Sequence, residues 1–295
     1  MTTSKSPLAV ATVAYEAGRK TLPLYRHECS PKKFTQPQLF ACLVMKAFFN
    51  TDYRGIMIHL LEHRELRSVL ELGIVPHYTT LQKASKSMFQ SKNARKIMRK
   101  LLRMFEGLTE NKKHPIALFD STGFEFAHAS GYFKWRKESG TKDKPPLWFK
   151  RYPKLSLASL PVDMLIATSF ASLGPSTDMP YFARLLKATC SYFTPQTVIA
   201  DAGYDREANH IIARERQIET IIPARAHCRG SLPKTPHRLR MKMAFPKERY
   251  GIRWHIETVM SMLKRNLGSR LFGKTFRSQS RELSLKVITH NCMVV

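Results

Sequence analysis

Three acidic residues stand where a carboxylate can do chemistry. Asp120 closes the run PIALFD, Asp201 closes QTVIAD, and Glu257 lies inside YGIRWHIETVMSMLK. The first two runs are short apolar stretches bounded by polar turn residues, the pattern of a buried strand running into a loop. In sheets packed against helices, ligands collect at strand ends, where loop residues converge. Adjacent strands would set Asp120 beside Asp201, and two bare carboxylates repel unless a cation lies between them. Glu257, brought in from a helix packed on the sheet, would complete a hard oxygen site suited to Mg²⁺ or Mn²⁺.

The stretch 250–264 has a helical period and reads as one amphipathic helix. At roughly 100° per residue, Tyr250, Arg253, Glu257 and Lys264 fall within an arc of about 60°. Ile252, Ile256, Met260, Leu263 and Leu267 form a second stripe about 90° away. One face can dock on a core while its neighbour presents a carboxylate flanked by a phenol and two cations. The plainer reading is a solvated Arg253–Glu257 pair, worth about 0.3 kcal/mol.

Composition points to a partner. The chain has 295 residues, of which 43% are hydrophobic, enough to build real cores. Its 49 Lys+Arg against 22 Asp+Glu give a formal net charge of +27 and a pI near 10.2. Such a field attracts polyanions, and nucleic acid is the expected one. The charge runs the whole length, unlike the local patch of a membrane anchor, and no apolar run is long enough to span a bilayer. No signal peptide is legible near the start. Cys29, Cys42, Cys190, Cys228 and Cys292 are scattered, with no CxxC, which argues against a zinc ribbon or disulfide framework and for a reducing cytosol.

Texture divides the chain at about residue 112. Residues 1–112 read as an all-α N-terminal, DNA-binding domain after a loose start of some twenty residues. Thr35 with Gln38 makes a capping box, one helix covers 53–72 and stops at Gly73, and Thr79 or Thr80 caps another. A basic helix follows over 91–105. This arrangement is equally compatible with a helix-turn-helix and with an α packing domain carrying a solvated basic face.

Residues 113–295 read as α/β. Strands are expected over 115–119, 154–160, 164–170, 196–200 and 219–223, with helices over 179–189 and 206–216. Residues 133–154 carry eight Lys or Arg interleaved with Trp135, Trp148, Phe149 and Tyr152, suited to backbone contact and base stacking. Residues 225–249 read as a basic loop, and the final VITHNCMVV as a buried last helix or strand. Asp178, Asp205 and Glu207 could add ligands, although surface or capping roles fit them better. His128 and His290 are isolated and read as structural.

Taken together, Tyr250, Arg253, Glu257 and Lys264 at these spacings, preceded by Asp120 in LFDSTGF and Asp201 in IADAGYD, resemble insertion-sequence DDE transposases of the IS-four type. The resemblance spans about residue 115 to the C-terminus. It implies a ribonuclease-H-like catalytic fold, a mixed sheet flanked by helices, with Asp120, Asp201 and Glu257 as catalytic metal ligands. It also implies that Tyr250, Arg253 and Lys264 hold the DNA backbone near the cut. On that reading two Mg²⁺ ions, with Mn²⁺ substituting, activate water at the transposon end, and the freed 3′-hydroxyl attacks target DNA. Thr122 would position the scissile strand, and a dimer would hold two ends together. Asp201 and Glu257 are 257 − 201 = 56 positions apart, too close for the long β-rich insertion of the large family members. Hairpin release of the ends is therefore not implied, though Trp254 and the aromatics near Trp148 offer stacking surfaces. The competing reading is a catalytically inactive, transposase-derived DNA-binding protein.

Overall fold

The computed structural model describes residues 3–29, 31–108, 115–126, 152–225 and 232–295. Six helices come first: α1 (Pro7–Thr21), α2 (Gln36–Phe48), α3 (Tyr53–Glu62), α4 (Arg64–Val69), α5 (Tyr78–Met88) and α6 (Ser91–Leu108). The expected loose start is instead the helix α1. Ser6 caps the Ala9 N–H, and Pro7 stands in the first turn, where its missing N–H costs nothing. Ala11, Ala14 and Ala17 form a buried small-residue face that a search for large apolar side chains passes over. Close approach follows from that face: a Cβ on Gly18 would stand 3.0 Å from the Pro37 Cα of α2.

The capping box on α2 forms as expected. Gln38 N–H donates to Thr35 Oγ1 at 3.3 Å, and the Thr35 N–H returns a bond to Gln38 Oε1 at 2.9 Å. The single helix expected over 53–72 is broken at His63, whose extended backbone separates α3 from α4. Helix α5 begins at Tyr78, before either expected threonine cap, with His77 as its N-cap residue.

The second half is built on β1 (Ile116–Gly123), β3 (Tyr152–Leu160), β4 (Leu165–Gly174), β5 (Thr197–Ala200) and β6 (Glu219–Ile221), in the order β4–β3–β1–β5–β6. β3 is antiparallel to β1 and β4, whereas β1, β5 and β6 run parallel. This is the expected ribonuclease-H-like mixed sheet. A small parallel pair, β2 (Glu125–Phe126) with β7 (Arg270–Leu271), lies beside it. Helix α7 (Met179–Thr189) packs on the sheet through Phe182, whose ring lies 5.4 Å from that of Phe119. Helix α8 (Glu207–Arg214) follows β5 and leads to β6.

The stretch expected as a basic loop over 225–249 holds α9 (Pro236–Met243) and the start of α10 (Lys247–Gly251). Two acidic residues pin it. The fully buried Asp205 carboxylate accepts both Nε and Nη2 of Arg238 at 2.8 Å, and also the Arg225 N–H. Glu207 accepts the N–H groups of His237 and Arg238, so an acid on α8 caps the N-terminus of α9. Burial alone would raise the Glu207 pKa, but the His237 ring and these N–H donors hold it down at about 2. A carboxyl depressed in the fold contributes fully above its ordinary 4.5 and loses that contribution as pH falls toward 2. Protection of the α9 amides, taken relative to their intrinsic exchange at each pH, is therefore expected to fall in acid, and to be low at neutral pH in Glu207→Ala. Equal protection of wild type and variant would refute the cap.

The last two helices are α11 (Trp254–Leu267) and α12 (Phe276–Val294). Gly268, at φ +80, ends α11 in the left-handed region that favours glycine. The buried Lys286 ammonium of α12 donates to the carbonyls of Leu267 and Gly268, satisfying that helix end. Helix α12 packs against β4, α1, α2, α6 and α11, so one hydrophobic core runs from the first helix to the last. Its final turns are the buried segment VITHNCMVV, and His290 there bonds the Met164 carbonyl, a structural role as expected.

Candidate active site

Sheet register brings the two aspartates together. The parallel ladder between β1 and β5 ends at the pair Phe119–Ala200, so Asp120 and Asp201 are the next residues on adjacent strands. Asp120 was expected to end its strand. Instead β1 continues to Gly123, because the longer β3 keeps pairing with it from Asp120 to Gly123 after β5 has stopped. Asp120 is thus held on one side by β3 and faces the vacated β5 position on the other. The Ser121 N–H donates to Asp120 Oδ1 at 2.7 Å, and the Gly203 N–H to Asp201 Oδ1 at 2.8 Å.

Glu257 arrives from α11, but the expected single helix over 250–264 is two. α10 ends at Gly251, a poor helix former, and Ile252 and Arg253 make a tight junction before α11 starts at Trp254. Bonds from Arg253 to Tyr250, His255 to Ile252 and Ile256 to Arg253 span three residues rather than four. The apolar stripe still docks, with Ile256, Met260, Leu263 and Leu267 buried, joined by Val259. Arg253 sits at the junction and bridges two of the three acids. Its Nη2 donates to Asp120 Oδ2 at 2.8 Å, and its Nη1 to Glu257 Oε1. The Arg253–Glu257 pair is therefore no mere surface contact, since the same guanidinium reaches into the sheet.

A fourth acid joins them. Asp178 precedes α7 but makes no capping bond; its Oδ1 accepts the Ser121 hydroxyl at 2.6 Å and pairs with the buried Lys154 ammonium. A Cβ on Gly203 would stand 2.8 Å from Asp201 Oδ1 and 3.3 Å from Asp178 Oδ2, so glycine lets the two acids close in. Burial pushes the Asp120 carboxyl up to about 6, and Asp201 and Asp178 add to this against the pull of Ser121 and Arg253. Burial holds the Tyr204 phenol well above its ordinary range, with Asp178, Asp120 and Asp201 adding, so it stays protonated. Four carboxylates against Arg253 and Lys154 leave the site short of positive charge, which fits hard divalent cations. Among the described residues no three His, Cys, Asp or Glu side chains stand as a ready cluster of metal ligands; the Glu257 side chain is 60% exposed and turned to Arg253.

The other expected contacts surround this centre. Thr122 lies two residues beyond Asp120 on the same strand face. Burial pushes the Tyr250 phenol up, with Arg253 opposing and Asp201, Asp120 and Glu257 adding, and its ring packs edge-on to Phe245. Lys264 rests over the Phe124 ring at 5.5 Å, just past the end of β1. Trp254 is 55% exposed and stacks on His255. Trp135, Trp148, Phe149, His128 and Cys228 lie outside the described residues. Between Asp201 and Glu257 the described chain holds only β6 and short helices, with no β-rich insertion.

Ser121, Lys154 and Tyr204 escaped the sequence reading. Lys154, the one charged residue of β3, was the legible signal. As a neighbour that orients both strand ends, Asp178 is expected to matter without being essential. Asp178→Asn should slow DNA cutting about 10- to 100-fold, with normal duplex binding; an unchanged cutting rate would remove it from the site.

The five-stranded mixed sheet, with these acids converging at the adjacent ends of β1 and β5, is a ribonuclease-H-like arrangement. Residues 111–292 match the profile of the transposase DDE domain, and the chain belongs to that family. No curated protein matches the chain. Two solved structures share 10% and 12% identity with it: a Mos1 transposase paired-end complex with the left transposon end, and the Mos1 mariner paired-end complex with Mn. The first alignment covers 83% of this chain and 81% of that one at a TM-score of 0.26; the second covers 96% and 85% at 0.24.

Proposed function

We propose that this protein is an insertion-sequence DNA transposase of the IS-four type, cutting transposon ends and joining them to target DNA. The observation that carries the reading is the meeting of Asp120 and Asp201 on adjacent parallel strands, with Arg253 tying Asp120 to Glu257. Asp120, Asp201 and Glu257 would hold Mg²⁺, or Mn²⁺ in its place, which supplies nucleophile activation and charge neutralisation at the scissile phosphate. The chain's own groups do the rest. β1 and β5 fix the two aspartates, so little reorganisation is needed at the reacting phosphate. Arg253 and Lys264 neutralise the DNA backbone, Thr122 offers a hydroxyl to the scissile strand, and Tyr250 and exposed Trp254 contact the flanking nucleotides. Water first breaks the P–O3′ bond and frees a 3′-hydroxyl. That hydroxyl then attacks a target phosphodiester, one P–O bond forming as another breaks.

In this reading residues 1–112 contribute end binding and 113–295 the chemistry, and a dimer holds the two ends. The test is a labelled duplex carrying the ends of its own element, incubated with Mg²⁺ or with EDTA. Metal-dependent cutting at the end supports the reading. Tight, salt-sensitive binding without cutting would identify a catalytically inactive DNA-binding descendant instead.

A further inference from the structure

The outer edge of the sheet, two strands from the carboxylates, carries a concentration of positive charge. β4 is the edge strand, and beside it α6 and α7 enclose a groove of about 510 Å³. Arg95, Lys96 and Arg99 enter from α6 and Arg184 and Lys187 from α7, over Phe170 and Tyr192. A smaller cavity of about 110 Å³ continues it toward Ser280 and Ser284 of α12. Among the described residues no Asp or Glu lines either one.

Five cations from two helices repel one another, yet the fold fixes three of them in place. The Arg95 and Arg184 guanidinium carbons lie 5.7 and 4.7 Å from the Phe170 ring centre, and that of Arg99 lies 5.6 Å from the Tyr192 ring. An aromatic face orders a guanidinium and leaves its charge in place, as for Arg99 and Arg184, so part of the entropy of ordering is spent before any ligand arrives. A concave, acid-free surface of ordered cations fits a polyanion. Register makes this surface distinct from the catalytic cleft. Phe170 pairs with Ser156, and Ser156 with Ser121, so the groove is level with the carboxylates but two strands away, about 10 Å across the sheet.

We propose that this groove binds the phosphate backbone of DNA outside the cut site, without reading sequence. The inference rests on the transposase reading only in naming DNA as the polyanion. The plainer role for such cations is to guard an open strand edge against pairing. That role predicts aggregation when they are removed, with no change in how DNA binding depends on salt.

The experiment titrates a fluorescent duplex of random sequence with full-length protein in EDTA, over a series of KCl concentrations. The variant Arg99→Gln/Arg184→Gln/Lys187→Gln is expected to bind at least about tenfold more weakly, with a log–log salt slope shallower by about 2 to 3. The charge-preserving variant Arg99→Lys/Arg184→Lys/Lys187→Arg should keep the wild-type slope, which separates lost charge from lost folding. Unchanged affinity and slope in the neutral variant would overturn the proposal. So would an equal loss in both variants, or lost binding to phosphatidylglycerol vesicles with DNA binding intact. Because EDTA prevents cutting, a wild type that never cuts leaves this result standing, and an unchanged slope leaves the catalytic reading standing.

Discussion

Asp201→Ala and Asp120→Ala proteins are expected to give no detectable strand transfer, a loss of at least about 1,000-fold, the scale of removing a group that stabilises transition-state charge. Both should bind duplex DNA at wild-type strength or better. The expectation follows from where the acids sit. Asp120 is nearly buried and its carboxyl is pushed up to about 6 by burial, so it is an expensive group to keep unless a cation compensates it. Among the described residues the Asp201 side chain makes only the local bond to the Gly203 N–H at the start of a short 3₁₀ turn, so its removal should leave the fold intact. Gel analysis of joined products, run beside a binding titration, separates the two effects. Normal joining by the Asp201→Ala protein would sink the assignment of this site.

The second large effect concerns stability. Asn291, fully buried on α12, accepts the Ile166 N–H and donates to the Ile166 carbonyl, both at 2.9 Å. β4 has no strand on its outer side, so these two backbone groups would otherwise be unpaired inside the core. Asn291→Ala strips both partners at once. At about 1–3 kcal/mol for each stranded buried group, the variant should lose about 2–5 kcal/mol, a large share of a typical domain's stability. Urea unfolding followed by tryptophan fluorescence measures it. An unchanged midpoint would mean that the Ile166 groups find other partners.

Much of the second half was legible because its signals are local. α7 forms over the expected residues, the β3–β4 hairpin turns at Pro161–Asp163, and the apolar stripe of α11 docks as its period demands. What escaped was set by partners distant in sequence. β1 extends through Asp120 only because β3 outlasts β5, which nothing in LFDSTG announces. The ordered α9 depends on Asp205 and Glu207, which hold it from about thirty residues away. Asp178 looked like a cap, and becomes part of the site through Ser121 and Lys154, 57 residues away in the first case. α1 was missed for a different reason: its buried face is made of alanines, too weak a hydrophobic signal to stand out in one sequence.

Glu257 is where the central claim is most exposed, since its carboxylate is turned to Arg253 and open to solvent, whereas the two aspartates are fixed by the sheet. The deciding measurement is cutting of a labelled element-end duplex by wild type and Glu257→Ala across a range of Mg²⁺ and Mn²⁺ concentrations. The account predicts cutting by wild type and none by the variant at any concentration of either metal, with duplex binding equal in both. A Glu257→Ala protein that cuts like wild type would contradict it.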